Sequence, residues 1–449
     1  MVRQLRDERL MKSFPGGISI GHHKTATEHL PIQAAALPRR VVLPLQQNLG
    51  VPAETLVKVG DTVAEGRKIA DTTKFISAPI HASIAGKVTR IERIPNPAGF
   101  PTRSIVIEAT EEPGDALSPV QPRSWKDLAS DEIRKIVREA GIVGLGGATF
   151  PAHVKLSPPP EKAIDTVIIN GCECEPYITA DHRLMLERPE DLLAGAGAIA
   201  RAVGAGTILL GIENNKPDAI RILQAAIERE KPEGVRVVPL QTKYPQGGEK
   251  MLIKAILKRE VPSGGLPMDV GAVVHNVGTT VAIAEAVGAG KPLIERVVTV
   301  SGSGVREPKN LLVRIGTPFA DVLEQCGGIS DDAVKVIMGG PMTGTAVSSL
   351  EAPVVKATSA ILVFTAKEVR DFAEGNCIRC GRCLRACPVG LMPNFLANFA
   401  KLKQWDKVQD YHVTDCIECG CCTYVCPARI FLVQHFKVAK RELQLRKTP

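Results

Sequence analysis

Two runs near the end of the chain restrict its fold more than anything else in it: Cys377-x2-Cys380-x2-Cys383-x3-Cys387-Pro388 and Cys416-x2-Cys419-x2-Cys422-x3-Cys426-Pro427. Three closely spaced thiolates, then a fourth and a proline, is the spacing that holds a 4Fe-4S cubane, and in two-cluster proteins the fourth cysteine crosses to the other cluster. The expected ligand sets are Cys377, Cys380, Cys383 and Cys426 for one cluster, and Cys416, Cys419, Cys422 and Cys387 for the other. That crossing puts the clusters within electron-tunnelling range. Structural zinc wants two ligand pairs separated by a longer spacer, which these crowded runs lack. A disulfide framework belongs to small secreted domains, not to a chain of 449 residues. Cys172, Cys174, Cys326 and Cys421 read as free thiols.

This length suits about three domains. Aromatic residues make up 4% and the net charge of +8 is dispersed, which argues against a base-stacking surface, so no nucleic acid partner is expected. Lys437, Lys440, Arg441, Arg446 and Lys447 gather near the end, as a solvated helix end, an acidic partner or an anionic membrane would each explain. The first twenty residues have no apolar core, so no secretory leader is expected. The apolar windows 192–212 and 270–290 are interrupted by Arg201, His275, Asn276 and Glu285, and no transmembrane segment is expected. Clusters and thiols call for reducing surroundings, hence the cytoplasm.

Four segments follow along the chain. Residues 1–122 carry an arm and short β-rich runs such as Val57–Val63, 78–83 and 86–88, resembling the barrel-sandwich hybrid of biotinyl and lipoyl domains. Lys74 lies near the lysine modified in those domains but without its flanking residues, so a packing or docking module is expected. A Pro- and acid-rich linker at 111–122 ends the segment. Residues 123–292 open with a helix whose period shows at Ile133, Ile136 and Val137. A Gly-rich turn, Gly144-Leu145-Gly146-Gly147-Ala148-Thr149-Phe150-Pro151, then precedes Lys155; glycines admit an anion close to backbone amides, and a lysine neutralises it. The buried-strand run 166–170 ends in Asn170-Gly171-Cys172-Glu173-Cys174-Glu175-Pro176, where ligands of α/β sheets sit. Helices at 192–203 and 217–229 and a strand at 207–211 continue the βαβ rhythm of a Rossmann-like α/β domain.

Taken together, Gly-Leu-Gly-Gly-Ala-Thr-Phe-Pro and Asn-x-x-Glu-x-Glu-Pro resemble the FMN/NADH flavoprotein subunit of respiratory complex I. The whole chain is similar to the C subunit of the Rnf electron-transport complex. Tyr244-Pro245-Gln246-Gly247-Gly248-Glu249, Pro262-Ser263-Gly264-Gly265-Leu266-Pro267, Asn276-Val277-Gly278-Thr279 and Gly339-Gly340-Pro341-Met342 occur in that family's order. Residues 293–365 resemble its soluble-ligand-binding β-grasp (SLBB) module, and 366–449 form the helical two-cluster ferredoxin-type domain. Leu391, Phe395, Phe399 and Leu402, at helical spacing, are expected as core between the cubanes, with two short helices between Cys387 and Cys416. The family's arm reads Gly-Gly-x-His-Pro ahead of its lysine, where this chain has Ser19 and Ile20 before Lys24.

The resemblance implies cofactors FMN and two 4Fe-4S clusters, with NADH or NAD as substrate. Gly144, Gly146, Gly147 and Lys155 would cradle FMN. Asn170 and Glu173 would meet the flavin or its ribityl chain, Asn276 and Thr279 its phosphate end, with Gly247 also at the cofactor. Glu175 and Glu249 would face the nicotinamide nucleotide, and Phe150 would stack on it. Hydride chemistry and one-electron clusters need a carrier stable half-reduced, which flavin is. The implied activity is electron transfer between NADH and the clusters. The implied partners are the membrane subunits and an iron-sulfur subunit of an Rnf-type complex, with ferredoxin indirectly, placing the chain peripherally on the cytoplasmic face of the membrane. Two other readings stay open: a reductase of another acceptor such as a corrinoid, and a non-catalytic cluster relay.

Overall fold

The computed structural model describes residues 11–110, 123–369 and 372–447; the expected linker at 111–122 lies outside them. After an arm that lays β1 (Ile32–Ala34) on a sheet formed much later, seven short strands follow. These are β2 (Arg40–Pro44), β3 (Glu54–Thr55), β4 (Thr62–Val63), β5 (Lys68–Asp71), β6 (Ile80–His81), β7 (Gly86–Pro95) and β8 (Pro101–Ala109). They form two small sheets, β2-β8-β7-β4 and β3-β5-β6, the barrel-sandwich hybrid. Alternate residues point inward, so Val41, Leu43, Ile69, Ile105 and Ile107 close a core between the sheets. Of the alternating run Val57–Val63 only Thr62 and Val63 pair, because the chain turns at Gly60 (φ 99°). Lys74 is exposed on the turn between β5 and β6.

The α/β unit runs α1 (Ser130–Glu139), α2 (Ala152–Lys155), β9 (Thr166–Gly171), α3 (Ala180–Glu187), α4 (Pro189–Val203), β10 (Thr207–Glu213), α5 (Pro217–Glu230), β11 (Val235–Leu240), α6 (Glu249–Leu257), β12 (Ala272–Asn276) and α7 (Val277–Ala289). Its four strands are parallel in the order β11-β10-β9-β12, and the middles of β9 (167–169) and β10 (208–212) carry no polar side chain because helices cover both faces. Helices α4 and α7 touch through glycine: a Cβ on Gly195 would lie 2.0 Å from the Thr280 carbonyl oxygen. The Gly-rich apolar windows are therefore helix-packing surfaces. Among the described residues no helix is long and apolar enough to cross a membrane.

Next, β13 (Glu295–Ser301), β14 (Lys309–Arg314), α8 (Phe319–Glu324), β15 (Ala333–Met338), β16 (Thr345–Ala346) and β17 (Ala360–Thr365) form the β-grasp module. Its mixed sheet, β1-β14-β13-β17-β15-β16, takes its edge strand from the N-terminal arm, Ile32 pairing with Asn310. Lys356 locks three units together. It is 1% exposed and its ammonium donates to the carbonyls of Pro79 (2.8 Å) in the barrel-sandwich and Gly141 (2.6 Å) in the α/β unit. Burial lowers it from 10.5 to about 7, and the neighbouring buried His81 is held neutral, pushed down to about 3 by burial. A lysine whose folded value is depressed stabilises the fold fully above its unfolded value and less as pH falls through the folded one. Thermal unfolding compared with Lys356→Met should therefore shift in favour of the native chain as pH rises from about 7 to about 10; a pH-independent difference would refute this.

The last unit packs α9 (Arg382–Ala386), α10 (Pro393–Lys401), α11 (Trp405–Asp410), α12 (Cys421–Tyr424) and α13 (Leu432–Lys447). Helices α10 and α11 are the two short helices between the cysteine runs. The core expected of Leu391, Phe395, Phe399 and Leu402 is half there: Leu391 and Phe399 pack, partly buried, against it, Leu391 beside the second cysteine set. For the rest, α10 turns Leu396, Ala397 and Ala400 toward α13, where small residues allow close approach. Phe395 (44% exposed) and Leu402 (59%) face outward. The rings of Phe395, Phe399 and Tyr411 cluster with centroids 5.1–6.3 Å apart.

Candidate cofactor sites

Strands β9 and β12 end side by side, Asn170 opposite Asn276. Their polar tips, the Gly-rich turn and the β-grasp loop 338–345 enclose a cavity of about 230 Å³. Of the expected residues, Gly146, Gly147, Asn170, Glu173, Glu175, Gly247 and Asn276 line it, while Gly144, Phe150, Lys155, Glu249 and Thr279 do not.

Inside the turn, the Gly144 amide donates to Phe150 O (2.9 Å), Thr149 N to Gly144 O (3.1 Å) and Leu145 N to Thr279 Oγ1 (2.8 Å). Thr279 is fully buried and clamps the turn from beneath instead of reaching toward a ligand. No group among the described residues accepts from the amides of Gly146, Gly147 and Ala148, and Gly147 at φ 115° adopts a conformation that a side chain would strain. Three free amides in one exposed turn make an anion cradle.

Asn276 caps α7, accepting from Thr279 N (3.2 Å) and donating to Asp181 (2.5 Å). Asn170 Nδ2 donates to Gly247 O (2.8 Å). Glu173 caps α3, accepting from the amides of Asp181 (2.7 Å) and His182 (3.2 Å). The arm's Lys24 lies 3.9 Å from Glu173 Oε2 and donates to the carbonyls of Glu173 (2.8 Å), Glu175 (3.0 Å) and Ile178. Burial pushes Glu173 up and Lys24 down, so the pair sits closer to neutrality than on a surface. Despite its altered flanks, the arm thus fixes the loop that carries both acids.

Glu175 reaches the β-grasp module, accepting from Met342 N (3.1 Å) and Thr343 Oγ1 (2.5 Å); burial raises it. Lys155 and Glu249 pair at 2.5 Å beside the cavity, Lys155 also donating to Val274 O (3.0 Å). Sequence reasoning missed Arg296 and Asp181 and gave no role to Gly340 and Thr343. Arg296 lines the cavity, is 7% exposed, donates to the carbonyls of Leu145, Val297 and Lys356, and has no carboxylate at ion-pair distance among the described residues. Burial lowers it to about 10, which leaves it charged. A lone arginine in a strand gives no signal, and the Gly-Gly-Pro-Met motif was visible without showing which distant loop it closes on.

The cavity fits FMN. Free amides, a buried guanidinium and the polar tips of two strands suit a phosphate and a ribityl chain, and the Met338, Gly339 and Ala357 wall suits a flat ring.

The eight motif cysteines surround two hollows. Cys377, Cys380, Cys383 and Cys426 line one of about 210 Å³. Cys387, Cys416, Cys419 and Cys422, joined by Cys421, line a narrower one of about 20 Å³. Each hollow takes three cysteines from one run and one from the other. All twelve cysteines are free, and burial drives Cys416 up to about 11 and Cys422 higher. Metal binding removes that proton, and an all-sulfur donor set suits iron-sulfur chemistry. No three His, Cys, Asp or Glu side chains among the described residues converge on a single ion.

The second hollow abuts the cavity wall. Tyr244 donates to Cys419 O (2.8 Å), its hydroxyl lies 3.4 Å from Glu175 Oε1, and Gly420 packs on Met342.

An anion cradle on a parallel sheet, joined by one wall to two crossed thiol sets, defines a flavin and iron-sulfur electron-transfer protein. Family models agree: the chain matches the RnfC Barrel sandwich hybrid domain over residues 12–112, the Nuo51 FMN-binding domain over 137–285, the SLBB domain over 297–346 and the 4Fe-4S dicluster domain over 375–430. It is 50% identical over 388 residues to the C subunit of the proton-translocating ferredoxin:NAD(+) oxidoreductase complex of Clostridium ljungdahlii (86% of this chain, 84% of the relative). It is 44% identical over 436 residues to the Na(+)-translocating counterpart of Acetobacterium woodii (96% and 97%), and 43% identical over 388 residues to the C subunit of the ion-translocating oxidoreductase complex of Rhodobacter capsulatus (85% and 73%). The chain belongs to the family of C subunits of the Rnf ion-translocating oxidoreductase complexes.

Proposed function

We propose that this protein exchanges electrons between NADH and two 4Fe-4S clusters by way of FMN, within a membrane complex that couples the transfer between ferredoxin and NAD to ion movement. The coupling belongs to the complex, and the protein sits on its cytoplasmic face. FMN held there would supply the exchange between two-electron hydride transfer and single-electron transfer. The chain's own part is placement. Gly146, Gly147 and Arg296 hold the phosphate, Asn170 and Asn276 orient the flavin, and Glu175, supported by Thr343, faces the nicotinamide. Lys155 and Glu249 flank the entry, where Phe150 meets the nucleotide. Cys387, Cys416, Cys419 and Cys422 hold the cluster nearer the flavin; Cys377, Cys380, Cys383 and Cys426 hold the outer one.

The observation that carries this reading is the shared wall, where Tyr244 bonds the Cys419 carbonyl and Met342 packs on Gly420. The test is anaerobic: load the full chain with FMN, iron and sulfide, add NADH, and follow flavin and cluster bleaching together. Both should bleach. About eight irons with no flavin and no response to NADH would leave a bare cluster relay and sink the proposal.

A further inference from the structure

The two cysteine runs are copies in different surroundings. Cys377-Ile378-Arg379-Cys380-Gly381 and Cys416-Ile417-Glu418-Cys419-Gly420 share one turn, with Arg379 and Glu418 both left-handed at φ 54° and 56°. In the second copy the chain itself covers this turn. Ile417 Cδ1 lies 3.6 Å from a Cβ built on Gly248 of the α/β unit, Gly420 meets Met342, and Glu418 pairs with Lys440 (2.7 Å) and Lys437 (3.8 Å) of α13.

In the first copy the described residues leave the same turn bare. Ile378 is 68% exposed, and Cys377 and Cys380 are exposed beside it. Arg379, Arg382 and Arg385 lie at the surface, and their side chains form no hydrogen bond or ion pair among the described residues. Residues 375–390 contain no acid, and the preceding Glu374 is already paired with Lys401 and His435. Exposed Tyr424 (60%) joins Arg382 and Arg385 around an open hollow that reaches Cys426.

Building on the electron-transfer reading, we propose that this bare turn is the docking face for an acidic iron-sulfur protein or domain, the outer counterpart of the flavin unit's contact with the other copy. Three unpaired guanidiniums around two exposed ligands steer an acidic face into place, and Ile378 supplies an apolar centre that excludes water. One electron leaves the outer cluster, which is oxidised by one, and reduces one ferric iron of the partner to ferrous; no bond forms or breaks, and the step runs either way. An anionic bilayer would be attracted by the same charges, but it offers the exposed cluster ligands nothing to exchange electrons with.

The test uses the full chain with its clusters, reduced by dithionite so that the outcome does not depend on NADH, alongside NADH-driven bleaching as the check on the parent reading. Electron delivery to an acidic two-iron ferredoxin should slow as salt rises and fall about tenfold in Arg382→Glu/Arg385→Glu. Reduction of the neutral acceptor benzoquinone should stay unchanged. Equal rates to ferredoxin in both proteins overturn the proposal. If the reversal also lowers benzoquinone reduction, the native chain decides: a ferredoxin rate indifferent to salt overturns the proposal, and a steep dependence supports it. Arginine-dependent binding to phosphatidylserine vesicles with an unchanged ferredoxin rate would assign the face to the membrane instead.

Discussion

Replacing Cys387 with alanine is expected to empty the narrow hollow it shares with Cys416, Cys419 and Cys422, and to spare the one built by its own run. About four of about eight irons should be lost. Combinations reveal the crossing. Cys387→Ala with Cys416→Ala should lose no more iron than either change alone, whereas Cys387→Ala with Cys377→Ala should lose nearly all of it. The single variant should still let NADH reduce the flavin, because none of these cysteines lines the flavin cavity, while electrons no longer pass to the outer cluster. Iron counting and bleaching kinetics check both points. If the Cys387 and Cys377 losses fail to add, each run serves its own cluster.

At the other end of the path, Gly340→Ala should abolish most NADH oxidation while leaving the clusters intact. Its Cβ would fall 2.2 Å from Glu175 Oε2 and 2.7 Å from Glu175 Cβ. Glu175 must then give up Met342 N and Thr343 Oγ1 and swing into the cavity. A displacement on the order of 1 Å at an aligned site costs about 10²-fold, so a fall of about 10²-fold in kcat/KM for NADH is expected. Thr343→Ala, which removes one hydrogen bond to Glu175 without moving it, should cost about tenfold or less. A Gly340→Ala protein with undiminished NADH oxidation would show that Glu175 and its wall lie outside the reaction.

The sequence exposed the parts of this molecule that are local. Cysteine spacing, the apolar run at 166–170 and the Gly-rich turn each act over a few residues, and each led to an element in the expected place. What stayed hidden was contact across the chain. Phe395 and Leu402 have the right spacing for a core face, yet α10 buries the face with smaller residues because α13 packs there. Glu173 and Glu175 look alike in their loop, but one caps α3 and the other is held by the β-grasp module. Thr279 resembles a phosphate ligand and proves to be the clamp under the turn. Arg296 entered the cavity unannounced because only tertiary packing distinguishes it from any other strand arginine.

The edge position of β1 sets a schedule for synthesis. Ile32 leaves the ribosome early, but its partner Asn310 and the sheet behind it come late in the chain. At roughly 5–20 residues per second, the interval is about 15 s to a minute. During that time the barrel-sandwich and the α/β unit can form while the arm waits for its sheet. Strand β1 is thus among the last elements to be seated, and a bulky fusion before residue 32 should delay maturation of the β-grasp module more than it disturbs the strands next to it.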